Sequence, residues 1–118
     1  SKNKKIGFLG LTYKSGTDLF TDSPAFYLYQ RFKSKFKVFH GYDPFFKDEI
    51  IEQINNKYKK LFVQKNYKKF VSSCDIIILC YQDQKFKKIK NEKNKIIVDP
   101  WNYLKSVSKS KYINIGIS

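Results

Sequence analysis

Lys14 is the side chain best placed for binding chemistry in this 118-residue chain. It follows a short apolar run, Lys5-Ile6-Gly7-Phe8-Leu9-Gly10, in a segment with no helix signal until Ser23. An ammonium on such a loop can pair with a phosphate, although a surface role is the simpler reading where lysine is so abundant. Asp18 and Asp22 suit capping of loop amides better than acid–base work, and Asp22 also places negative charge near the start of a following helix. His40 is read at the end of a strand. As a general base it lacks a nucleophile to serve, and Asp43 is only a possible neighbour in space. Trp101 can stack on a base or sugar; a core or interface tryptophan is the commoner case. Gly7-x-x-Gly10 is not the dinucleotide fingerprint, which needs a third glycine and opens directly onto a helix. Its glycines either bring backbone amides to a phosphate or only permit close packing.

Cys74 and Cys80 flank the run Asp75-Ile76-Ile77-Ile78-Leu79. On one strand that separation spans about 20 Å, and a disulfide needs Cα atoms closer than about 7 Å. An internal bridge is therefore not expected, and one histidine gives no zinc spacing. Unpaired cysteines suit a reducing compartment, so a cytoplasmic location is expected.

The formal charge is +14, from 24 Lys and Arg against 10 Asp and Glu. Such a field attracts phosphates and nucleic acid. Nearly all of it is lysine, with Arg31 the lone arginine. Base and phosphate recognition favours arginine's planar fork, so a lysine-rich solvated surface is the simpler account. At 42% hydrophobic and 18% aromatic, the chain can build a core. No run reaches the length a membrane-spanning helix needs. An opening Ser1 and the absence of methionine suit a piece of a longer protein.

These residues need elements to hold them. Lys5 to Gly10 reads as a first strand, apolar on both faces. Leu11 to Ser23 is a long loop. Ser23-Pro24 is a helix start, with Ser at the cap and Pro at the first helical position. Ala25, Leu28, Tyr29 and Phe32 then form one buried stripe, and the helix ends near Lys33 to Lys35. Phe36 to Phe39 is a second strand, closed by Pro44. Phe46 to Asn56 carries apolar residues at helical spacing. Lys60 to Val63 is an edge strand whose lysines blunt the edge. Asn66 to Ser73 is a brief helix or turn. Asp75 to Cys80 is a central buried strand, Gln82 to Ile89 a short helix, Lys95 to Asp99 a strand and Tyr112 to Gly116 the last one. Strands joined by such connections suit parallel crossovers with helices on both faces. The expected fold is α/β: one three-layer Rossmann-like domain over residues 1–118, with a mainly parallel five- or six-stranded sheet. Ligands then belong at the carboxyl ends of the strands, on a rim made by Gly10 to Thr21, Gly41 to Pro44, Tyr81 to Lys85 and Asp99 to Asn102.

Ordered motifs add a resemblance. Lys5-Ile-Gly-Phe-Leu-Gly-Leu-Thr-Tyr-Lys14, then Thr17-Asp18 and Asp22-Ser23-Pro24-Ala25, resemble the opening of the C-terminal domain of the UDP-glucose/GDP-mannose dehydrogenase family. The likeness continues through Tyr42-Asp43-Pro44, Ser73 to Phe86, Val98-Asp99-Pro-Trp-Asn102 and Tyr112 to Gly116. The resemblance implies the nucleotide-sugar-binding part of a larger NAD-dependent enzyme. Such an enzyme oxidises the C6 hydroxyl of a UDP- or GDP-sugar to a carboxylate. NAD is then bound mainly by a preceding domain, and the catalytic cysteine lies outside this chain. The full-length protein is expected to form a homodimer, with the remainder of the parent chain as the domain's neighbour. Tyr13, Lys14, Trp101 and Asn102 take substrate-binding positions, and Thr21 a position facing the cofactor. Two departures stand out. Thr21 replaces the arginine of the family's D-x-R-x-S-P, and Trp101 the arginine of D-x-R-N. Both losses remove bidentate partners and leave open a non-catalytic relative acting as a binding or structural module. The charge and aromatics leave open a basic nucleic-acid-binding domain.

Overall fold

The computed structural model describes residues 3–13, 19–100, 103, 104 and 111–113. Its centre is a six-stranded, all-parallel sheet in the order β3-β2-β1-β4-β5-β6. The strands are β1 (Ile6–Leu9), β2 (Phe39–Tyr42), β3 (Leu61–Val63), β4 (Ile76–Leu79), β5 (Ile96–Val98) and β6 (Lys111–Ile113). The chain winds outward from β1 to β3, then crosses back to place β4 on the other side of β1. Strand order therefore reverses between β1 and β4, the position where open parallel sheets receive ligands.

Among the described residues, three α-helices and one 3-10 helix cover the sheet: α1 (Pro24–Phe32), α2 (Asp48–Lys57), α3 (Tyr67–Ser73) and the 3-10 helix Gln84–Asn91. Alternation along the strands divides the core in two. Ile6, Phe8, Phe39, Leu61 and Val63 face α1 and α2 through Ala25, Tyr29, Ile51 and Ile54. Leu9, Ile77, Leu79 and Ile97 face the other way, onto Phe70 and Val71 of α3 and onto Phe86 and Ile89 of the 3-10 helix. All four residues of β1 are buried, as expected for a strand covered on both faces.

Local signals account for the helix starts. The Ser23 hydroxyl accepts from the Phe26 amide at 3.1 Å, with Pro24 opening α1. Asn66 Oδ1 accepts from the Lys69 amide at 3.0 Å and turns the expected brief helix or turn into a true helix, α3. β3 lies at the sheet edge as expected.

Four elements differ from expectation. The second strand occupies Phe39–Tyr42 rather than Phe36 to Phe39. Phe36 instead packs beneath α1, its ring 6.4 Å from Phe32 and 6.1 Å from Phe39. Register explains the shift, since pairing Ile6 with Phe39 and Leu9 with Tyr42 ends β1 and β2 level. The second helix starts at Asp48, leaving Phe46 buried in the turn before it. The segment after Tyr81 winds as a 3-10 helix, anchored at its start by Asp83 Oδ1 accepting from the Lys85 amide at 2.8 Å. The last strand begins at Lys111, and Asn114 to Gly116 lie outside the described residues.

Gly10 closes β1 at φ +100°, where residues with side chains are strained, and a Cβ there would stand 2.7 Å from the Tyr81 ring. Gly10→Ala is therefore expected to destabilise the chain by about 3 kcal/mol, from backbone strain and overpacking together. Thermal denaturation followed by circular dichroism reads this as a fall of roughly 10 °C or more in Tm; an unchanged midpoint would contradict it.

Candidate functional site

The carboxyl ends of β1, β2 and β4 converge on one buried carboxylate. Asp43, one residue past β2, is 3% exposed. Its Oδ2 accepts from the Leu11 amide at 2.8 Å and from the Tyr81 hydroxyl at 2.9 Å. Its Oδ1 accepts from the Phe45 amide at 2.9 Å. Leu11 opens the loop after β1, Phe45 turns the chain toward α2, and Tyr81 follows β4. One side chain thus ties the exits of three adjacent strands. The Thr12 hydroxyl, fully buried, bonds the Tyr81 phenol and extends the network into the β1 loop.

Burial is the largest influence on Asp43 and pushes its carboxyl above the ordinary value, while the bonds from Leu11, Phe45 and Tyr81 pull it back. Tyr81 is raised as well, by burial first and then by Asp43. The pair is a structural clamp: its hydrogen-bonding capacity faces inward, onto backbone and hydroxyl groups. Packing holds it in place. The Tyr81 ring covers Gly10 and lies 4.9 Å from Phe86.

A second buried aspartate repeats the device on the neighbouring rim loop. Asp99, fully buried just past β5, accepts from the Leu104 amide at 2.8 Å. Asp43-Pro44 and Asp99-Pro100 are the same dipeptide at the ends of two strands, and each aspartate accepts from a backbone amide that follows it in the chain. That repeat is the sequence signal for the two aspartates; no comparable pattern marks the bonds of Tyr81 and Thr12 to the network.

The rim also carries a cleft of about 410 Å³ beside the network, lined by Tyr42, Pro44, Gln84, Lys85, Phe86 and Lys88. The Lys85 ammonium rests 5.7 Å from the Phe45 ring centre and that of Lys88 4.0 Å from the Tyr67 ring centre. Cation–π seating of this kind holds a long side chain near one position.

The sequence-derived residues fall as follows. Tyr13 is on the β1 loop directly after buried Thr12, and its side chain is 66% exposed and available to a ligand. Lys14, Trp101 and Asn102 lie outside the described residues, as does Asp18. Thr21 is exposed two residues before the cap of α1, beside α2 in a shallow cleft with Leu19, Gln53 and Lys57. Asp22 is exposed. His40 is not at a strand end: it sits inside β2, paired with Gly7. Gln64 Nε2 lies 3.3 Å from His40 Nδ1, so the imidazole accepts there as its Nε2–H tautomer. Desolvation first, then Lys5, lowers its pKa. The register shift of β2 carried His40 inward and left Asp43 at the rim.

Cys74 and Cys80 are both free and buried. Burial pushes the Cys74 thiol up to about 12, and Cys80 is raised for the same reason. Both thiols stay protonated near neutral pH and are poor nucleophiles. The chemistry that the described rim offers is hydrogen bonds, cations and an exposed aromatic.

Comparison with known proteins gives a coherent set of likenesses. A family model described as the UDP-glucose/GDP-mannose dehydrogenase family, UDP binding domain, matches residues 7–106. No curated protein matches the sequence. A solved GDP-mannose dehydrogenase from Pseudomonas aeruginosa aligns at a TM-score of 0.71 and 23% identity, over 95% of this chain and 28% of that one. A UDP-glucose dehydrogenase from Pyrobaculum islandicum aligns at 0.77 and 15%, over 99% and 26%. A UDP-D-ManNAc dehydrogenase from Pyrococcus horikoshii aligns at 0.69 and 24%, over 98% and 26%. The chain thus spans about a quarter of the length of these solved structures, and at such identities they establish the fold.

Two outcomes test the site's construction. Asp43→Ala leaves the Leu11 amide, the Phe45 amide and the Tyr81 hydroxyl without their acceptor, and is expected to cost about 3 kcal/mol or more; Tyr81→Phe, which removes one donor, costs about 1 kcal/mol. Urea unfolding measures both, and equal losses for the two variants would contradict the clamp. For His40 the folded pKa is depressed below its ordinary 6.5, so the unfolded chain binds the proton more readily. Stability is then highest above pH 6.5 and falls as the pH drops below it. Unfolding free energies measured from pH 7 to 5.5 should decline, and His40→Gln should flatten that decline.

Proposed function

This chain belongs to the UDP-glucose/GDP-mannose dehydrogenase family as its UDP-binding domain, and from that premise we propose that its rim holds the nucleotide of a UDP-sugar inside a larger NAD-dependent 6-dehydrogenase. In this reading residues 1–118 form one domain, the C-terminal part of that enzyme. The parent oxidises the C6 hydroxyl of the bound sugar to a carboxylate. It works in the cytoplasm as a homodimer.

The observation that carries the reading is the Asp43 clamp. It anchors the β1 loop at Leu11, and Tyr13 emerges exposed two residues later. Lys14 follows in sequence and supplies a cation for the diphosphate. Asp99 anchors the neighbouring loop at Leu104, and Trp101 and Asn102 lie in the sequence between those two points. Two anchored loops flanking the switch in strand order fit a ligand held by several weak contacts. The domain's share of catalysis is positioning: a fixed nucleotide brings the sugar's C6 to the reacting centre.

The described residues do not form a cradle for NAD. β1 ends at Leu9 and α1 opens only at Pro24, so Gly10 does not lead straight into the helix start that receives a pyrophosphate in dinucleotide folds. NAD, which supplies the hydride acceptor when bound, is assigned by likeness to the family mainly to the preceding part of the parent chain. Thr21, exposed ahead of α1, offers a single hydroxyl toward it.

A second reading, a relative that binds without turnover, is favoured by Thr21 and Trp101 standing where the family carries arginines. A hydroxyl and an indole cannot make the paired bonds of a guanidinium. The two readings part at the whole protein, which reduces NAD with a UDP-sugar under the first and not under the second.

Isothermal titration of the 118-residue chain with UDP tests the shared premise. Weak binding, with Kd in the roughly millimolar range, is expected from one domain of a cleft. Lys14→Ala should weaken it about ten-fold, the worth of one charge-assisted bond. Binding that ignores this substitution, or none at all, would overturn the assignment.

A further inference from the structure

At the opposite end of the sheet, four lysines line one open cleft. It has a volume of about 420 Å³ and is lined by Lys33, Lys57, Lys59 and Lys60, with Tyr29 and Tyr58. None of its lining residues is acidic. Its location follows from the winding: α1 starts near the rim after β1 and runs back, so its end at Phe32 and Lys33 meets the end of α2 and the beginning of β3.

The cleft is built rather than incidental. The Tyr29 hydroxyl donates to the Lys59 carbonyl at 2.6 Å and joins α1 to the α2–β3 connection. The Lys60 ammonium donates to the Lys33 carbonyl at 2.8 Å across the same gap. Lys60 holds this position at φ +68°, a left-handed conformation that is uncommon for a residue with a side chain. The Lys33 ammonium is set by Gln30 Oε1 at 2.8 Å, and that of Lys57 lies 5.5 Å from the Tyr58 ring centre. A lysine near a helix C-terminus is favourable by itself. No residue lining the cleft supplies a carboxylate to these four ammonium groups, and a bound anion supplies that missing counter-charge.

We propose that this cleft binds a compact oligophosphate, a linear anion of two or more phosphates, independently of the nucleotide rim. Its volume suits a small molecule, and lysines read phosphate as point charges. A nucleic-acid strand fits less well. Strand binders stack bases on exposed rings, whereas Tyr29 is buried and Tyr58 is half-buried, packed edge-to-face on Tyr29 with centres 5.9 Å apart.

The test is amide chemical-shift mapping with calorimetry on the 118-residue chain. The probes are orthophosphate, pyrophosphate, tripolyphosphate, ATP and a single-stranded oligonucleotide, in 0.15 M salt. Tripolyphosphate should bind at least ten-fold more tightly than orthophosphate and shift residues 30–34 and 57–61. ATP binding as tightly as tripolyphosphate identifies the phosphate chain as the feature read; tighter ATP binding at the same residues identifies a nucleotide as the oligophosphate. The triple variant Lys33→Gln, Lys57→Gln, Lys59→Gln should lose about ten-fold or more in affinity. A control with the same charge change, Lys47→Gln, Lys90→Gln, Lys93→Gln, should lose less than two-fold. Equal losses in both variants overturn the proposal, as do shifts confined to Lys85 and Lys88 at the rim, or binding by the oligonucleotide alone. Mapping on the unsubstituted chain decides the matter even if the triple variant fails to fold. UDP shifts at the rim report separately on the nucleotide site.

Discussion

A carboxylate buried where three parallel strands end is the constraint from which the rest of this structure follows. Parallel strands leave their C-terminal exits side by side, and each exit has amide groups that need partners once water is excluded. Asp43 meets this need for the β1 loop and for its own turn, and accepts from Tyr81 on the third strand. Burying the charge is unfavourable, as the upward shift of its pKa shows. Three donors aimed at two oxygens offset that cost. Tyr81 can reach Asp43 only because Gly10 leaves room for its ring, so a glycine, a phenol and a carboxylate act as one unit. Asp99 does the same for the exit of β5. The result is a rim whose loops are fixed at their roots and free to carry different side chains at their tips.

The two ends of the sheet divide their work accordingly. At the C-terminal end, hydrogen bonds point inward and the exposed surface carries Tyr13 and the Lys85–Lys88 cleft. At the N-terminal end, helix ends and the start of β3 gather lysines around a cleft without acidic residues. Two groups of lysines among the described residues thus sit at opposite ends of the sheet, with Lys57, Lys85 and Lys88 seated on aromatic rings and Lys60 on a backbone carbonyl.

Much of the fold was legible from local chemistry. Ser23-Pro24 marked the start of α1, the isoleucine run marked β4, and the lysine-flanked Leu61-Phe62-Val63 marked an edge. The second strand was misplaced because Phe36 to Phe39 and Phe39 to Tyr42 are both plausible strands alone. Register against β1 selects the latter, and register is a long-range property. The expected rim, Gly41 to Pro44 and Tyr81 to Lys85, already contains Asp43 and Tyr81; what no one-dimensional reading supplies is that their side chains meet. In the structure His40 is an interior strand residue bonded to Gln64, and Asp43 is the organiser. The motifs pointed to the family correctly because they record the loops that the clamp holds, while the meeting of Asp43 with Tyr81 is visible only in three dimensions.

Hydrogen exchange at the amides of Leu11 and Phe45 puts the central claim to its most direct test. Both amides belong to loops by position, yet each donates to the buried Asp43 carboxylate. If that carboxylate secures the strand exits, both should exchange only through large-scale opening, with protection near that of the β1 amides. Exchange as fast as that of the exposed loop segment around Leu19 and Thr21 would contradict the account.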